Sequence, residues 1–303
     1  MDFVAAFDRR GLRQRGNFKE VVDITDCKLL QQKSNDFWKM IRPEILKIQD
    51  YNYLNHEGFL RYCVLRQTYF TEELMCSFVI KEDKGLPDSL VALAEKHCDS
   101  VGVILSDGLA DVSYGPVLRN YNNDHIIEKF GNIKFKIRPN SFFQSNSRCA
   151  VEMYSRIKEF VEGRTVDLYS GVGSISLFVS DAVETLTGVE IVKEAVDAAE
   201  ENRKMNGIEN VDFVCEDARI FMRDNKKKFD TLILDPPRSG IHPKMIKSID
   251  YFSPKRIIYM SCNPATFKDD LLKLENYRLE LFEAYDMFAQ TPHIETLALL
   301  IRK

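Results

Sequence analysis

The sequence predicts an α/β protein, with a doubly wound sheet in its second half preceded by a smaller α+β domain. Three observations predict it. From Thr165 onward, short apolar runs end abruptly in polar residues, Gly or Pro and alternate with helical patterns, the alternation that builds α/β sheets. The first run leads into Asp167-Leu168-Tyr169-Ser170-Gly171-Val172-Gly173, a strand entering a Gly loop and a helix. Earlier in the chain the apolar residues fall in period two, as in antiparallel strands. At 303 residues two domains are the natural division. We place them at 1–135, which reads either as a substrate-side domain or as a purely structural one, and 136–303, which carries the Gly loop.

Composition narrows the class. With 45% hydrophobic residues and only 14 Gly and 10 Pro, the chain has ample material for a core. It has no 18-residue apolar run, and Met1-Asp2-Phe3-Val4 is not a signal peptide. The expectation is no membrane and a cytoplasmic location. The seven cysteines are odd in number and include no C-x-x-C, which supports neither a disulfide framework nor a metal site. A net charge of −4 does not announce nucleic-acid binding. A local basic patch still permits it, because counterion release depends on the contacting charges.

Taken in order, residues 1–21 carry Arg9, Arg10, Arg13, Arg15 and Lys19, interrupted by Gly11 and Gly16. They read either as a solvated hairpin or as a phosphate contact. Ser34 to Lys47 places Phe37, Met40, Ile41, Ile45 and Leu46 on one helical face, with Pro43 against it. Arg61 to Ile80 reads as two antiparallel strands around Thr71-Glu72-Glu73. A helix over Leu86 to His97 and a strand over Val101 to Ser106 follow. Gly131-Asn132 then turns a hairpin between His125–Phe130 and Ile133–Ile137.

In the second half, Asn146 is placed to cap a long helix. The planar amide of Gln144 just before it either pairs with an amide edge or is simply exposed. In the Gly loop, the position of a third glycine is Ser176, so the loop suits a ligand without a pyrophosphate. Glu190 ends the second strand, where a carboxylate accepts hydrogen bonds from ribose hydroxyls. Lys193 to Met205 is helical and Gly207 stops it. Asp217, after strand Val211–Val214, is either an adenine contact or a helix cap. Asp235-Pro236-Pro237-Arg238 is a stiff strand exit, since both prolines fix φ. Ile257 to Met260 is a buried strand that delivers Cys262 to its carboxyl end, where open α/β sheets bind ligands. A helix around Ala265 to Leu272, a strand over Arg278 to Asp286 and a final strand from Glu295 complete the chain.

Together, Phe143-Gln144-Ser145-Asn146, Asp167 to Gly173, Asp235-Pro236-Pro237-Arg238, Ser261-Cys262-Asn263-Pro264 and Gln290-Thr291-Pro292-His293-Ile294-Glu295 resemble the RNA 5-methyluridine methyltransferases. They occur in family order, and the resemblance spans about residues 12 to 303. It implies a class I methyltransferase sheet, mostly parallel with its last strand antiparallel. It implies S-adenosylmethionine as cofactor, with Gln144, Tyr169, Gly171, Gly173, Ser174, Glu190, Asp217 and Asp235 at cofactor positions. Cys262 is then the nucleophile toward C6 of a uracil, and Glu295 the base that removes the C5 proton. Gln144 and Asp235 lie near the base, and Arg10 and Arg13 become candidate RNA contacts. The implied partner is tRNA or rRNA with an exposed uridine, bound by a monomer. Many members begin with a small β-barrel, which this sequence does not show. Some hold an iron–sulfur cluster through four cysteines; Cys27 resembles the fourth alone, so an intact cluster is not expected.

These residue types fit the chemistry. Thiolate addition at C6 of uracil makes C5 nucleophilic, and a carboxylate then suffices to remove the C5 proton. An amino-methylating enzyme is disfavoured because Arg238 stands where an aromatic would follow the prolines. A nicotinamide dehydrogenase is disfavoured by the missing glycine. A catalytically inactive RNA-binding or chaperone relative is opposed by the presence of both Cys262 and Glu295.

Overall fold

The computed structural model describes residues 1–303, the side chain of Phe18 excepted. The chain divides into two compact units, Met1–Glu128 with Lys136–Ser141, and Lys129–Phe135 with Phe142–Lys303.

The first unit contains β1 (Asp2–Ala6), β2 (Arg9–Gln14), β3 (Asn17–Asp23), α1 (Gln32–Ile45), β4 (Leu60–Gln67), β5 (Leu74–Ile80), α2 (Asp88–His97), β6 (Ser100–Leu105) and β7 (Val117–Asn122). Seven strands form one sheet in the order β3-β2-β1-β4-β5-β6-β7. Two features depart from the sequence reading. The arginine-rich start is not a hairpin lying on the surface. Four of the five β1 residues are buried, because β1 sits inside the sheet between β2 and β4. Its Phe3 stacks on Trp38 of α1, ring centroids 3.7 Å apart. The sheet is also not wholly antiparallel: β5 and β6 run parallel. The intervening α2 carries the chain back to the starting edge, and such a crossover makes a parallel pair. Pro43 is tolerated because it falls in the last turn of α1, which ends at Ile45.

A two-stranded hairpin, β8 (Ile126–Phe130) and β9 (Ile133–Ile137), turns at Gly131 with φ of 59°. The second unit continues with α3 (Ser147–Phe160), β10 (Arg164–Leu168), α4 (Ser174–Phe178), β11 (Thr185–Glu190), α5 (Lys193–Met205), β12 (Val211–Cys215), α6 (Ala218–Asp224), β13 (Thr231–Leu234), α7 (Pro243–Phe252), β14 (Arg256–Ser261), α8 (Pro264–Lys273), β15 (Tyr277–Tyr285) and β16 (Glu295–Arg302). The strand order is β12-β11-β10-β13-β14-β16-β15. β10 to β14 are parallel, and only β16 is reversed against its neighbours.

The near-continuous apolar runs follow from burial of this sheet on both faces. Successive residues of one strand enter opposite cores. Leu232, Leu234, Ile257 and Tyr259 pack against Met245, Ile249 and Phe252 of α7 and Phe267 of α8. Ile233, Ile258 and Met260 pack against Met153, Tyr154 and Ile157 of α3. Both faces being filled, the free chemistry of the sheet lies at its strand ends. Among the described residues, no helix is long and apolar enough to cross a membrane.

Candidate active site

At the carboxyl end of β10 the neighbouring strands diverge in topology, with β11 on one side and β13 on the other. This switch point is where doubly wound sheets open a crevice. The loop leaving β10 is built on left-handed backbone: φ is 67° at Tyr169, 54° at Gly171 and 76° at Gly173. At Gly173 a side chain is excluded twice, since a Cβ there would come within 2.5 Å of the Phe213 ring. At Gly171 the space beyond the Cα is open, so the bare backbone faces outward for a ligand. Its N–H donates to Glu190 Oε2 at 3.1 Å, and Val192 N–H donates to Oε1 at 2.9 Å. The Glu190 carboxylate is thereby fixed beside the loop.

A cleft of about 350 Å³ opens here, its walls including Tyr169, Glu190, Asp217, Arg219, His242 and Pro243. Asp217 caps α6, accepting the Arg219 N–H at 2.8 Å, and also lines the cleft. The helix-cap reading of Asp217 is thus observed, at a position that also faces the cleft. The Arg219 guanidinium paired with it holds its carboxyl down at about 2. Below the loop, Asp167 is fully buried and accepts from Ser176 Oγ, while its other oxygen and Ser170 Oγ lack partners. Burial pushes the Asp167 carboxyl up to about 7. Ser174 Oγ lies 3.0 Å from the Tyr154 hydroxyl, and Gln144 stands beside the same hydroxyl. Tyr154 thus joins two residues that no sequence pattern pairs.

The second centre lies at the β14–β16 ladder. Ser261 pairs with Thr296 in antiparallel register, and Thr296 Oγ1 donates to Ser261 O at 3.1 Å. Cys262 follows Ser261 and Glu295 precedes Thr296, so both stand at this end of the ladder, near enough for Glu295 to act on the thiol. Burial raises the Cys262 thiol, and Glu295 and Asp235 add to that while Arg238 opposes it. Burial, then Asp235, lifts the Glu295 carboxyl to about 7, again with Arg238 opposing. Asp235, brought up beside β14 by the β13 register, is itself raised to about 6 by burial. Asp235 is also felt by Asp167 and Tyr154. It thus joins the Gly-loop side to the thiol side.

Sequence reasoning missed what fixes the thiol loop. Asn263 holds the cap position of α8 yet makes no cap bond. Its Nδ2 donates instead to Thr266 Oγ1 at 2.6 Å and Arg238 O at 3.2 Å, and Thr266 Oγ1 donates to the same carbonyl at 3.1 Å. The Cys262 loop is therefore tied to the Asp235-Pro236-Pro237-Arg238 exit. The signal was an Asn before Pro at a helix start, which reads first as a cap.

Arg10 and Arg13 need correction. Arg10 is 1% exposed. Its guanidinium donates to Ile45 O at 3.0 Å and Ile48 O at 2.8 Å, closing the open carbonyl end of α1. Arg13 is paired with Asp111 at 2.9 Å and lies over the Tyr53 ring. The Arg10 guanidinium is therefore not free for a phosphate, and that of Arg13 is turned inward against Asp111 and Tyr53. Cys27 is buried in the core of the first unit. Among the described residues, no group of three or more His, Cys, Asp or Glu is arranged to hold a metal.

The residues fit S-adenosylmethionine by their donor set. Glu190 offers a carboxylate for a ribose diol, Asp217 one for an amino group, and Tyr169 a ring face, in a loop shaped for close backbone approach. The strand order with one reversed strand, and this cleft, define a class I S-adenosylmethionine-dependent methyltransferase. The family model for tRNA (uracil-5-)-methyltransferase matches residues 119–303. The tRNA (uracil(54)-C(5))-methyltransferase of Pyrococcus furiosus is 36% identical over 100% of this chain and 72% of its own. That of Pyrococcus horikoshii is 38% identical over 99% and 73%. The crystal structure of Pyrococcus abyssi tRNA (uracil-54, C5)-methyltransferase with S-adenosyl-L-homocysteine superposes with a TM-score of 0.87 at 35% identity, covering 99% of this chain and 75% of that one. The chain belongs to the tRNA (uracil-5-)-methyltransferase family. It is an S-adenosylmethionine-dependent RNA uracil-C5 methyltransferase.

Proposed function

We propose that the chain methylates C5 of a uridine in an exposed loop of tRNA, with Cys262 as nucleophile and Glu295 as base. The observation that carries the reading is the proximity of Cys262 and Glu295 at one end of the β14–β16 ladder, with Asp235 near both. Position 54, named in the relatives, is the first site to map.

C5 of uracil is too weakly nucleophilic to be alkylated directly. The Cys262 thiolate adds to C6, and the electron pair displaced from the C5–C6 double bond gives an enolate with carbanion character at C5. S-adenosylmethionine, when bound, supplies an electrophilic methyl to that carbon, with Tyr169, Gly171, Gly173, Ser174, Glu190 and Asp217 as its holding residues. Glu295 then takes the C5 proton. The C5–H electrons re-form the double bond, and the Cys262–C6 bond breaks to return the thiolate. A carboxyl near 7 serves as a base at neutral pH. Gln144 and Asp235 face the base, offering an amide and a carboxyl to its edge. The uridine must leave its stack to reach the thiol. The first unit is the RNA-side domain of a monomeric enzyme.

The test is methyl transfer from labelled S-adenosylmethionine to an unmodified tRNA transcript, with the product base identified. Wild type should form 5-methyluridine. Cys262→Ala should form none while binding cofactor within a few-fold of wild type. Substantial turnover by the alanine variant would remove Cys262 as nucleophile.

A further inference from the structure

Arg10 is committed to the carbonyl end of α1 and Arg13 to Asp111, and a second basic surface lies in the other unit. It is found on the outer face of α7 and the loop that approaches the end of that helix. α7 turns Met245, Ile249 and Phe252 inward. Lys244, Lys247 and Tyr251, spaced three and four residues apart, share the opposite face. All three are exposed, Tyr251 to 72%. Lys226, Lys227 and Lys228 between α6 and β13 are exposed as well. Lys228 bonds this loop to the helix end, donating to Tyr251 O at 2.8 Å with its ammonium 5.0 Å from the Tyr251 ring centre.

The charge here is unspent. Among the described residues, no carboxylate pairs with Lys226, Lys227, Lys244 or Lys247. Of the neighbouring acids, Asp224 is paired with Arg223 and Asp230 with Lys255, while Asp250 on α7 accepts a hydrogen bond from Asn276 and keeps its charge. A cluster of free lysines around one exposed tyrosine, in a chain of net charge −4, is a local inversion of sign. Its partner is an extended polyanion. The stripe begins at Lys244, the residue after Pro243, which lines the cleft. It runs the length of a ten-residue helix, about 15 Å, long enough for two or three phosphates of a strand.

We infer that the α7 face and the Lys226–Lys228 loop form a surface on which the RNA backbone lies, running from the rim of the cofactor cleft, with Tyr251 as a stacking platform at the far end. The inference rests on the RNA-methylation reading above and adds where the backbone is gripped.

The test is a Lys227→Gln, Lys244→Gln, Lys247→Gln variant, measured with an unmodified tRNA transcript over a range of salt. The plot of log affinity against log salt should become shallower by about 2 units, at roughly 0.7–0.9 for each phosphate that is no longer neutralised. Binding of S-adenosylmethionine without RNA should match wild type, which shows that the variant is folded. Turnover at saturating RNA should stay within twofold. An unchanged salt slope in a variant that still methylates the transcript would overturn the stripe and leave the methylation reading standing. A wild-type chain that neither binds nor methylates the transcript would overturn both.

Discussion

Glu295 is held at about 7 by burial and by Asp235, which ties its chemistry to its effect on stability. Its folded value lies above the ordinary 4.5. The folded state therefore binds the proton more tightly than the unfolded chain. That contribution is fully present below about 4.5 and is lost as pH rises through about 7. Asp235, at about 6, acts in the same direction. Glu295→Gln should raise the unfolding free energy by roughly 1–3 kcal/mol at pH 8 and by little at pH 4.5. Urea unfolding at both values checks this; an equal change at both would contradict it. The same variant should add thiolate and accept methyl yet fail to lose the C5 proton, so a covalent RNA–protein species should accumulate on natural RNA. In wild type, single-turnover release of RNA carrying 5-methyluridine should rise with pH through about 7, because the raised Cys262 thiol must lose its proton before addition and Glu295 must be ionised before elimination. A rate falling over that range would contradict both roles.

The strand exits work as a linked pair. Asn263 and Thr266 of α8 bind the carbonyl of Arg238, so the thiol loop and the Asp235 loop keep one spacing. Asn263→Ala should lower kcat about tenfold or more while leaving cofactor KM within twofold, because the thiol loses its placement and the Gly-loop cleft does not. An unchanged kcat would make the link merely structural. Arg10→Ala belongs to the other unit and should act on stability alone. Removing the guanidinium strands the carbonyls of Ile45 and Ile48 at the end of α1. The expected loss is about 2–4 kcal/mol, with the salt slope of RNA binding unaltered. The elements differ in how far their sequence announced them. β13 and β14 read directly, because strands buried on both faces are continuous apolar runs. The parallel pairing of β5 and β6 did not: the helix between them was legible, but residue periodicity does not say which strand β6 pairs with after the crossover. Arg10 read as a surface cation because charge is visible in a sequence and its carbonyl partners, 35 and more residues away, are not.

Across the whole molecule, residues at strand ends were more legible than surfaces assembled from distant segments. Cys262 and Glu295 each fall where an apolar strand meets a polar break, and the β14–β16 ladder brings those two ends together. The Gly loop and Glu190 were legible for the same reason, as backbone geometry written in glycine and a strand-end carboxylate. The basic surface was not, because Lys226–Lys228 and Lys244–Lys247 lie apart in sequence and meet only through the packing of α6 against α7. The measurement that bears most directly on the central claim uses RNA carrying 5-fluorouridine at the target site. Fluorine at C5 cannot leave as a proton, so a chain that adds Cys262 to C6 and transfers the methyl should remain attached to its substrate. A complex that survives denaturing electrophoresis, requires S-adenosylmethionine, and yields the Cys262 peptide bound to a methylated fluorouridine is the predicted result. Methylation of natural RNA with no such complex, or a complex that persists in Cys262→Ala, would contradict it.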